Sequence, residues 1–503
     1  MEPDAPIMAP AAATTVPEFI RAIAAAHATK IAITADDASI TYAELEQQSA
    51  LLACGLLARG VGKGTRVGLL LANHPRWAVA WAAICRVGAV CVPLSTLSRP
   101  AELARLVLHG DLAGLIAQEH VLSQDFTELL PRALPSLGDT DRLVLHEAPY
   151  LRWIAFFGDD APSWATTVDE LRREGDEAEI NGDLLAVVER EVHIDDDAMI
   201  IYTSGQSAEP KGVLHSQASV MRKTHYLSEM LNMGPDTEYN ATLPFFWVGG
   251  LVMGLFTTLV AGGVVHCTDR TGGRGTVIGA PVTAPNPYPD ALLAPALGMS
   301  ETFGMYSWGN EWRVPGHLIC APLDVFQPGF EVNVVDPEGR PVSNGERGEI
   351  VLRGPTLLTR LNKVDKRTTF DTDGFYHTGD EGLAEGERIH FLGRLGDMIK
   401  SSGANVAPAE VERELTAIPG VKAAYVVGVR DGKRGQVVAG VLVPDGAAVL
   451  DLDEIRATLK DRLSSYKVPR YLVVIDEEDV PTTPSLKVRK PALRELIERS
   501  IRD

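Results

Sequence analysis

Residues 202–216 read Tyr-Thr-Ser-Gly-Gln-Ser-Ala-Glu-Pro-Lys-Gly-Val-Leu-His-Ser, and no other stretch restricts the fold so tightly. The apolar run before it, residues 198–202, predicts a strand that ends in a burst of small and hydroxyl residues. Pro210, Lys211 and Gly212 follow, and a helical pattern opens near Ser216. Strand, small-residue loop, lysine and helix are the ingredients of a polyphosphate cradle. Small side chains around Gly205 and Gln206 expose backbone N–H groups. Thr203, Ser204 and Ser207 add hydroxyl donors, and Lys211 adds a full positive charge. The common P-loop is excluded, because no Gly-Lys-Ser/Thr stands at that motif's spacing. Standing alone, the stretch reads more readily as a solvated Ser/Gly turn.

It does not stand alone. Thr41, with Glu44 at capping-box spacing, opens an amphipathic helix. Residues 67–71 form a buried-strand pattern, a helix follows Asn73 through Trp81, and residues 90–93 give the next strand. Strands alternating with helices predict an α/β layer structure with parallel pairing. Residues 125–197 carry fewer signals and are expected to form a variable subdomain. Residues 330–335 and 348–354 alternate as half-buried strands, with Pro337-Glu-Gly a turn between them. From residue 401 a second pattern begins: helix 408–417, strands 423–427 and 437–443, helix 452–463, strand 471–474. The expected architecture is α/β, with a large N-terminal domain of layered sheets and helices, residues 1–395. A smaller, mobile C-terminal α+β domain, residues 396–503, completes it.

A length of 503 residues fits more than one domain. A net charge of -20 argues against non-specific binding to nucleic acid or anionic membrane. The five cysteines, Cys54, Cys85, Cys91, Cys267 and Cys320, are scattered among apolar neighbours and form no C-x-x-C pair. They read as core residues of a cytoplasmic protein, and Met1-Glu-Pro-Asp lacks the basic start of a signal peptide. Residues 241–268 contain no Asp, Glu, Lys or Arg and pass the length test for a membrane span. Pro244 and five glycines interrupt them, so a buried helix-turn-strand is expected instead.

The spelling of residues 203–212 resembles the phosphate loop of the adenylate-forming superfamily, which includes acyl- and aryl-CoA synthetases, luciferases and peptide-synthetase adenylation domains. That loop typically runs Thr-Ser-Gly-Thr-Thr-Gly-x-Pro-Lys-Gly; here Gln206 replaces a threonine and Ala208 a glycine. Further stretches match in the family's order over nearly the whole chain. In Gly298-Met-Ser-Glu-Thr, the resemblance makes Glu301 the magnesium ligand and Thr302 a phosphate contact. One carboxylate suffices for a hard ion already carried by ATP. In Tyr376-His-Thr-Gly-Asp it makes Asp380 the acceptor of the ribose hydroxyls, with Arg394 a second nucleotide contact. The stretch containing Phe246, Trp247 and Gly249 lines the carboxylate substrate's pocket in relatives. Ser402 and Gly403 match the place where pantetheine passes, Gly396 the hinge, and Lys487 the mobile catalytic lysine, although Leu486 stands where relatives have glycine. Residues 271–297 are shorter than the corresponding interval of relatives; Gly279-Ala280-Pro281 is the candidate for its adenine-contacting turn.

What the resemblance implies is ATP-dependent activation of a small-molecule carboxylic acid, then transfer of the acyl group to coenzyme A. Lys487, Thr203 and Glu301 would be catalytic, and ATP, Mg2+ and coenzyme A would be required. His215 and His377 are expected to be structural or pocket residues, because no proton-relay triad is needed. Neither nucleic acid nor an integral membrane span is expected, and homodimerisation stays open. Two alternatives remain: transfer to an amine or a carrier-protein thiol, and a catalytically degraded nucleotide-binding homologue.

Overall fold

The structure is a computed structural model, and it describes residues 14–137, 143–203, 210–267, 276–278, 296–308, 323, 325–395, 399–401, 404–432, 435–446, 448–481 and 488–502. An eight-stranded sheet forms its centre. Its parallel core runs, in spatial order, Asp197–Thr203, Val90–Pro93, Arg66–Leu70, Gly114–Gln118, Trp153–Phe157 and Thr166–Thr167. Lys211–Ser216 and Arg360–Leu361 extend it antiparallel at one edge. Successive side chains of a strand point to opposite faces and helices cover both, which explains why the central strands are apolar between their ends. Leu69, Cys91, Ile116, Ala155, Met199 and Ile201 pack on one face, under the helices Tyr42–Ala58 and Pro75–Arg86. Leu70, Val92, Leu115, Ile154, Phe156 and Ile200 pack on the other, under Pro100–His109 and Phe126–Ala133.

The helix expected from Thr41 begins there, with Thr41 and Glu44 closing the capping box. The helix after Asn73 runs further than expected, Pro75–Arg86, because its apolar face continues into the core. Residues 125–197 do not form a subdomain of their own. Trp153–Phe157 is an apolar run that the parallel sheet buries. Helix Val168–Glu177 crosses helix Tyr42–Ala58 where both are glycine. A Cβ on Gly55 would lie 2.1 Å from the Leu171 carbonyl oxygen, and one on Gly175 2.8 Å from the Cys54 carbonyl carbon. The uncharged stretch is a π-type helical turn, Gly249–Phe256, continued by Thr257–Val260 and the strand Val264–Cys267. Among the described residues no helix is long and apolar enough to cross a membrane. Cys54, Cys85, Cys91 and Cys267 are buried. Of residues 271–297, the strand Thr276–Ile278 and the start of Ala296–Met299 are described; Gly279, Ala280 and Pro281 lie outside the described residues.

A four-stranded antiparallel sheet, Glu331–Val335, Arg347–Arg353, Tyr376–Glu385 and Arg388–Arg394, follows. The smaller C-terminal domain has its own sheet, Ile399–Ser401, Ala404–Val406, Val421–Asp431, Gly435–Pro444 and Tyr471–Val474. Pro408–Thr416 and Leu452–Arg462 cover one face. A last helix, Lys490–Arg502, which the periodicity did not announce, covers the other with Leu493 and Ile497.

This domain docks on helix Pro100–His109. Lys467 Nζ lies 2.7 Å from Glu102 Oε1 and 3.0 Å from Glu410 Oε1. Ser464 Oγ donates to Glu102 Oε2 at 2.7 Å, and Arg105 pairs with Glu414 at 2.9 Å. Gly396, expected as the hinge, lies outside the described residues, as do Asp397 and Met398.

Candidate active site

Lys211 is the first residue of its strand and pairs with Thr203, so the small-residue loop closes an antiparallel hairpin. The strand before the loop and the helix opening near Ser216 stand as expected; the strand that Lys211 begins between them is the addition. The segment Lys211–Ser216 is half-buried to buried and hydrogen-bonds along Asp197–Thr203, and helix Gln217–Met230 starts only after it, capped by Ser216. Ser204, Gly205, Gln206 and Ser207 lie outside the described residues.

Lys211 reaches across to two other elements. Its ammonium contacts Glu301 Oε1 and lies 2.7 Å from the Tyr376 hydroxyl. The Tyr376 hydroxyl is in turn 3.1 Å from Glu301 Oε1, and Lys211 Nζ stands 5.4 Å from the Tyr376 ring centroid. A lysine, a carboxylate and a phenol thus meet at one point. Residues from positions 211, 301 and 376 converge there.

Glu301 is held by its backbone. It sits in the 3-10 turn Ser300–Thr302, and its carbonyl accepts from Leu358 N at 2.8 Å. His215 Nε2 donates to the Ser300 carbonyl at 2.7 Å, and its ring lies 4.7 Å from that of Phe303. Donation from Nε2 fixes the neutral tautomer with Nδ1 unprotonated. Complete burial lowers the His215 pKa to about 4, outweighing the Ser300 carbonyl and the Glu301 charge, which raise it. Thr302 is buried, with its hydroxyl hydrogen-bonded to the Met299 and Gly304 carbonyls at 3.0 and 2.6 Å. The side chain expected as a phosphate contact therefore shapes the turn that presents Glu301.

Asp380 is four residues beyond Tyr376 on one strand, and Tyr376, Thr378 and Asp380 are all buried. Opposite them, two partner steps from Glu349 to Val351 span four steps from His377 to Glu381. This bulge is made at Gly379, whose φ of 70° lies in the left-handed region. At ~3.4 Å per residue the Cα atoms of Tyr376 and Asp380 are at most about 14 Å apart. Arg394 pairs with Asp380 across the neighbouring strand through its backbone. His377 is exposed and pairs with Glu349 at 2.8 Å, away from this cluster.

The expected acid-pocket segment is tied to the same centre. Asn73 accepts from Phe245 N and donates to the Leu243 carbonyl, both at 2.8 Å. Phe246 is buried against half-buried Trp247, their rings 5.4 Å apart. Aromatic contacts run from Phe245 through Trp77, Phe256 and Phe303 to His215. Gly250 rather than Gly249 is the glycine this turn requires: a Cβ there would lie 2.3 Å from the Pro244 carbonyl oxygen. At Gly249 the nearest atom would be 3.5 Å away. Ser402, Gly403 and Lys487 lie outside the described residues.

Residues 20–276 match the family model of AMP-binding enzymes, and residues 410–487 match that of their C-terminal domain. The chain belongs to the AMP-binding enzyme family. It is 29% identical to a feruloyl-CoA synthase of Amycolatopsis sp, over 94% of this chain and 97% of that protein. An indoleacetate–CoA ligase of Aromatoleum aromaticum is 27% identical over 93% and 96% of the two chains. The naringenin synthase of Pestalotiopsis fici is 27% identical across 93% of this chain, which spans 18% of that protein's length. Among solved structures, o-succinylbenzoate CoA synthetase of Bacillus subtilis superposes with a TM-score of 0.72 at 22% identity, covering 96% and 99% of the chains. The amide bond synthetase of Marinactinospora thermotolerans gives 0.71, also at 22% identity and covering 96% and 99%. These structural likenesses establish the two-domain adenylate-forming fold.

Two features of the site escaped the sequence. Tyr376 stands in a recognised stretch, and its spacing of four from Asp380 on a strand was the available signal. The Glu102–Lys467 contact had none, since its partners are 365 residues apart.

Proposed function

We propose that this enzyme activates a carboxylic acid with ATP to an acyl-adenylate, then transfers the acyl group to coenzyme A, releasing AMP and pyrophosphate. The observation that supports this most is the meeting of Lys211 and Glu301 at Tyr376, whose strand also carries Asp380. Asp380 would take the ribose hydroxyls, with Arg394 a second contact near them. Lys211, Thr203 and the loop residues Ser204, Gly205, Gln206 and Ser207 would take the phosphates. Mg2+ fits Glu301, since a phosphate-borne magnesium needs only one or two protein carboxylates. When bound, that ion neutralises charge on the phosphates.

The substrate carboxylate attacks the α-phosphorus, and negative charge grows on the phosphate oxygens. Lys211 stabilises it by position rather than by proton transfer, and Lys487 would join it from the small domain. The buried neutral imidazole of His215 holds the Ser300 carbonyl, and with it Glu301, in place. Phe246 and Trp247 would wall the acid and favour an aromatic one. Ser402 and Gly403 would admit the pantetheine thiol, which displaces AMP. Two half-reactions in one cleft require the small domain to turn, and Gly396, beside a domain boundary at residues 395 and 396, is the proposed hinge. A cytoplasmic location fits an enzyme that uses ATP and coenzyme A.

The test is a panel of aromatic and aliphatic acids with ATP and Mg2+, offered coenzyme A or simple amines, with products read by mass. An acyl-CoA and AMP are expected. Amides in place of thioesters would move the enzyme to amine acylation, and absence of AMP with every acid would make it a non-catalytic homologue.

A further inference from the structure

The Tyr376 hydroxyl has no part in the roles assigned above, yet it touches both charges at the phosphate end of the site. An ammonium offers only donors, so the phenol oxygen accepts from Lys211. The phenol's single hydrogen is then directed to Glu301 Oε1. The hydrogens are thereby ordered from Lys211 to Tyr376 to Glu301. The ring itself is fixed, buried edge-to-face against Phe370 with centroids 6.3 Å apart, and Phe370 and Tyr376 bridge through their backbones.

Lys211 is engaged with Glu301 in this arrangement. Resting on the function proposed above, ATP must draw that ammonium onto its phosphates, and a cation must take its place at the carboxylate. We infer that Tyr376 is a positioning residue for this exchange, keeping the Glu301 carboxylate oriented while Lys211 moves to the phosphates. The phenol can do so because its donation to Oε1 does not depend on Lys211. In this arrangement its ring also lies 5.4 Å from the ammonium, within cation–π range. The hydroxyl should therefore matter for ligands with both terminal phosphates and metal, and be immaterial for AMP.

Tyr376→Phe isolates the hydroxyl, because the ring and its packing stay. Calorimetric binding of Mg·ATP, of ATP with chelator, and of AMP gives a readout independent of turnover. Affinity for Mg·ATP is expected to fall about tenfold or more, the scale of losing a charge-assisted hydrogen bond. AMP affinity, the KM for the acid and the thermal midpoint are expected to stay unchanged. In the Glu301→Gln background, the same substitution should have little further effect, because the carboxylate it orients is gone. Unchanged Mg·ATP affinity in Tyr376→Phe, with wild-type binding intact, would overturn the inference alone. Equal losses for Mg·ATP and AMP with a lowered midpoint would reduce Tyr376 to a packing residue. Failure of the wild-type protein to bind any adenine nucleotide would overturn the proposed function itself.

Discussion

Lys467→Met should shift the balance between the two half-reactions more than it shifts stability. Lys467 and Glu102 are 9% and 5% exposed, join two domains, and are supported by Ser464, Glu410 and the Arg99 amide. Burial alone would lower the Lys467 pKa, but the Glu102 charge, with Tyr466 and Glu410, overcomes it and leaves it raised. Burial likewise pushes Glu102 up, and Lys467, the Arg99 amide and Ser464 bring it below the ordinary glutamate value. The carboxylate's contribution is therefore present above its unfolded pKa of about 4.3 and is lost as pH falls through its lower folded value. The ammonium's is complete below about 10.4 and is lost as pH rises through its raised folded value. Between about pH 5 and 9 the pair is fully charged. Removing one partner of a buried pair costs about 3–5 kcal/mol. That cost falls only on the docked arrangement, because in any other both groups regain water. Its population relative to other arrangements should drop by about a hundredfold or more. Pyrophosphate exchange and acyl transfer from preformed adenylate are then expected to change unequally, by at least about tenfold in ratio. The double variant Glu102→Gln/Lys467→Met should recover part of the difference. Parallel loss of both half-reactions, tracking a lowered melting temperature, would refute the idea that this pair biases domain arrangement.

Three further outcomes follow from the same geometry. Asp380→Ala should raise the KM for ATP by roughly tenfold or more, a charge-assisted hydrogen bond being worth about 1.5–3 kcal/mol, and leave that for the acid nearly unchanged in steady-state assays. His215 binds a proton below about 6.5 when unfolded but only near 4 when folded, so stability should decline as pH falls between those values. The decline is on the order of 3 kcal/mol if the whole shift is realised, and thermal melts of His215→Gln should show a flatter profile. Gly250→Ala places a methyl against the Pro244 carbonyl and should cost roughly 1–3 kcal/mol in denaturant melts, whereas Gly249→Ala should be nearly neutral for stability.

The parallel sheet was legible because its strands are apolar on both faces and short turn residues separate them from capped helices. Thr41 and Glu44 announced their helix by chemistry that acts over three residues. The hairpin at Lys211 was not legible: residues 211–216 fit a strand or a helix entrance equally, and only pairing with Asp197–Thr203 decides. Trp153–Phe157 was hidden for a similar reason, since a short apolar run becomes a sheet strand only through its neighbour Gly114–Gln118. Glu301 and Asp380 could be singled out by resemblance, but their alignment with Tyr376 depends on a bulge at Gly379 that no periodicity reports. Thr302 shows the converse. A hydroxyl in the right motif is hydrogen-bonded to the turn's own carbonyls.

The central claim is that this site forms an acyl-adenylate, and acid-dependent exchange of labelled pyrophosphate into ATP measures that step without regard to the acceptor. With Mg2+ and a suitable acid from the panel, label should enter ATP, and it should cease to do so when either the acid or Mg2+ is omitted. Lys211→Met should reduce the exchange by roughly a hundredfold, the scale of losing one preorganised charge donor. Label that enters ATP equally well without any acid, or an enzyme that converts ATP to ADP and phosphate instead, would contradict the account.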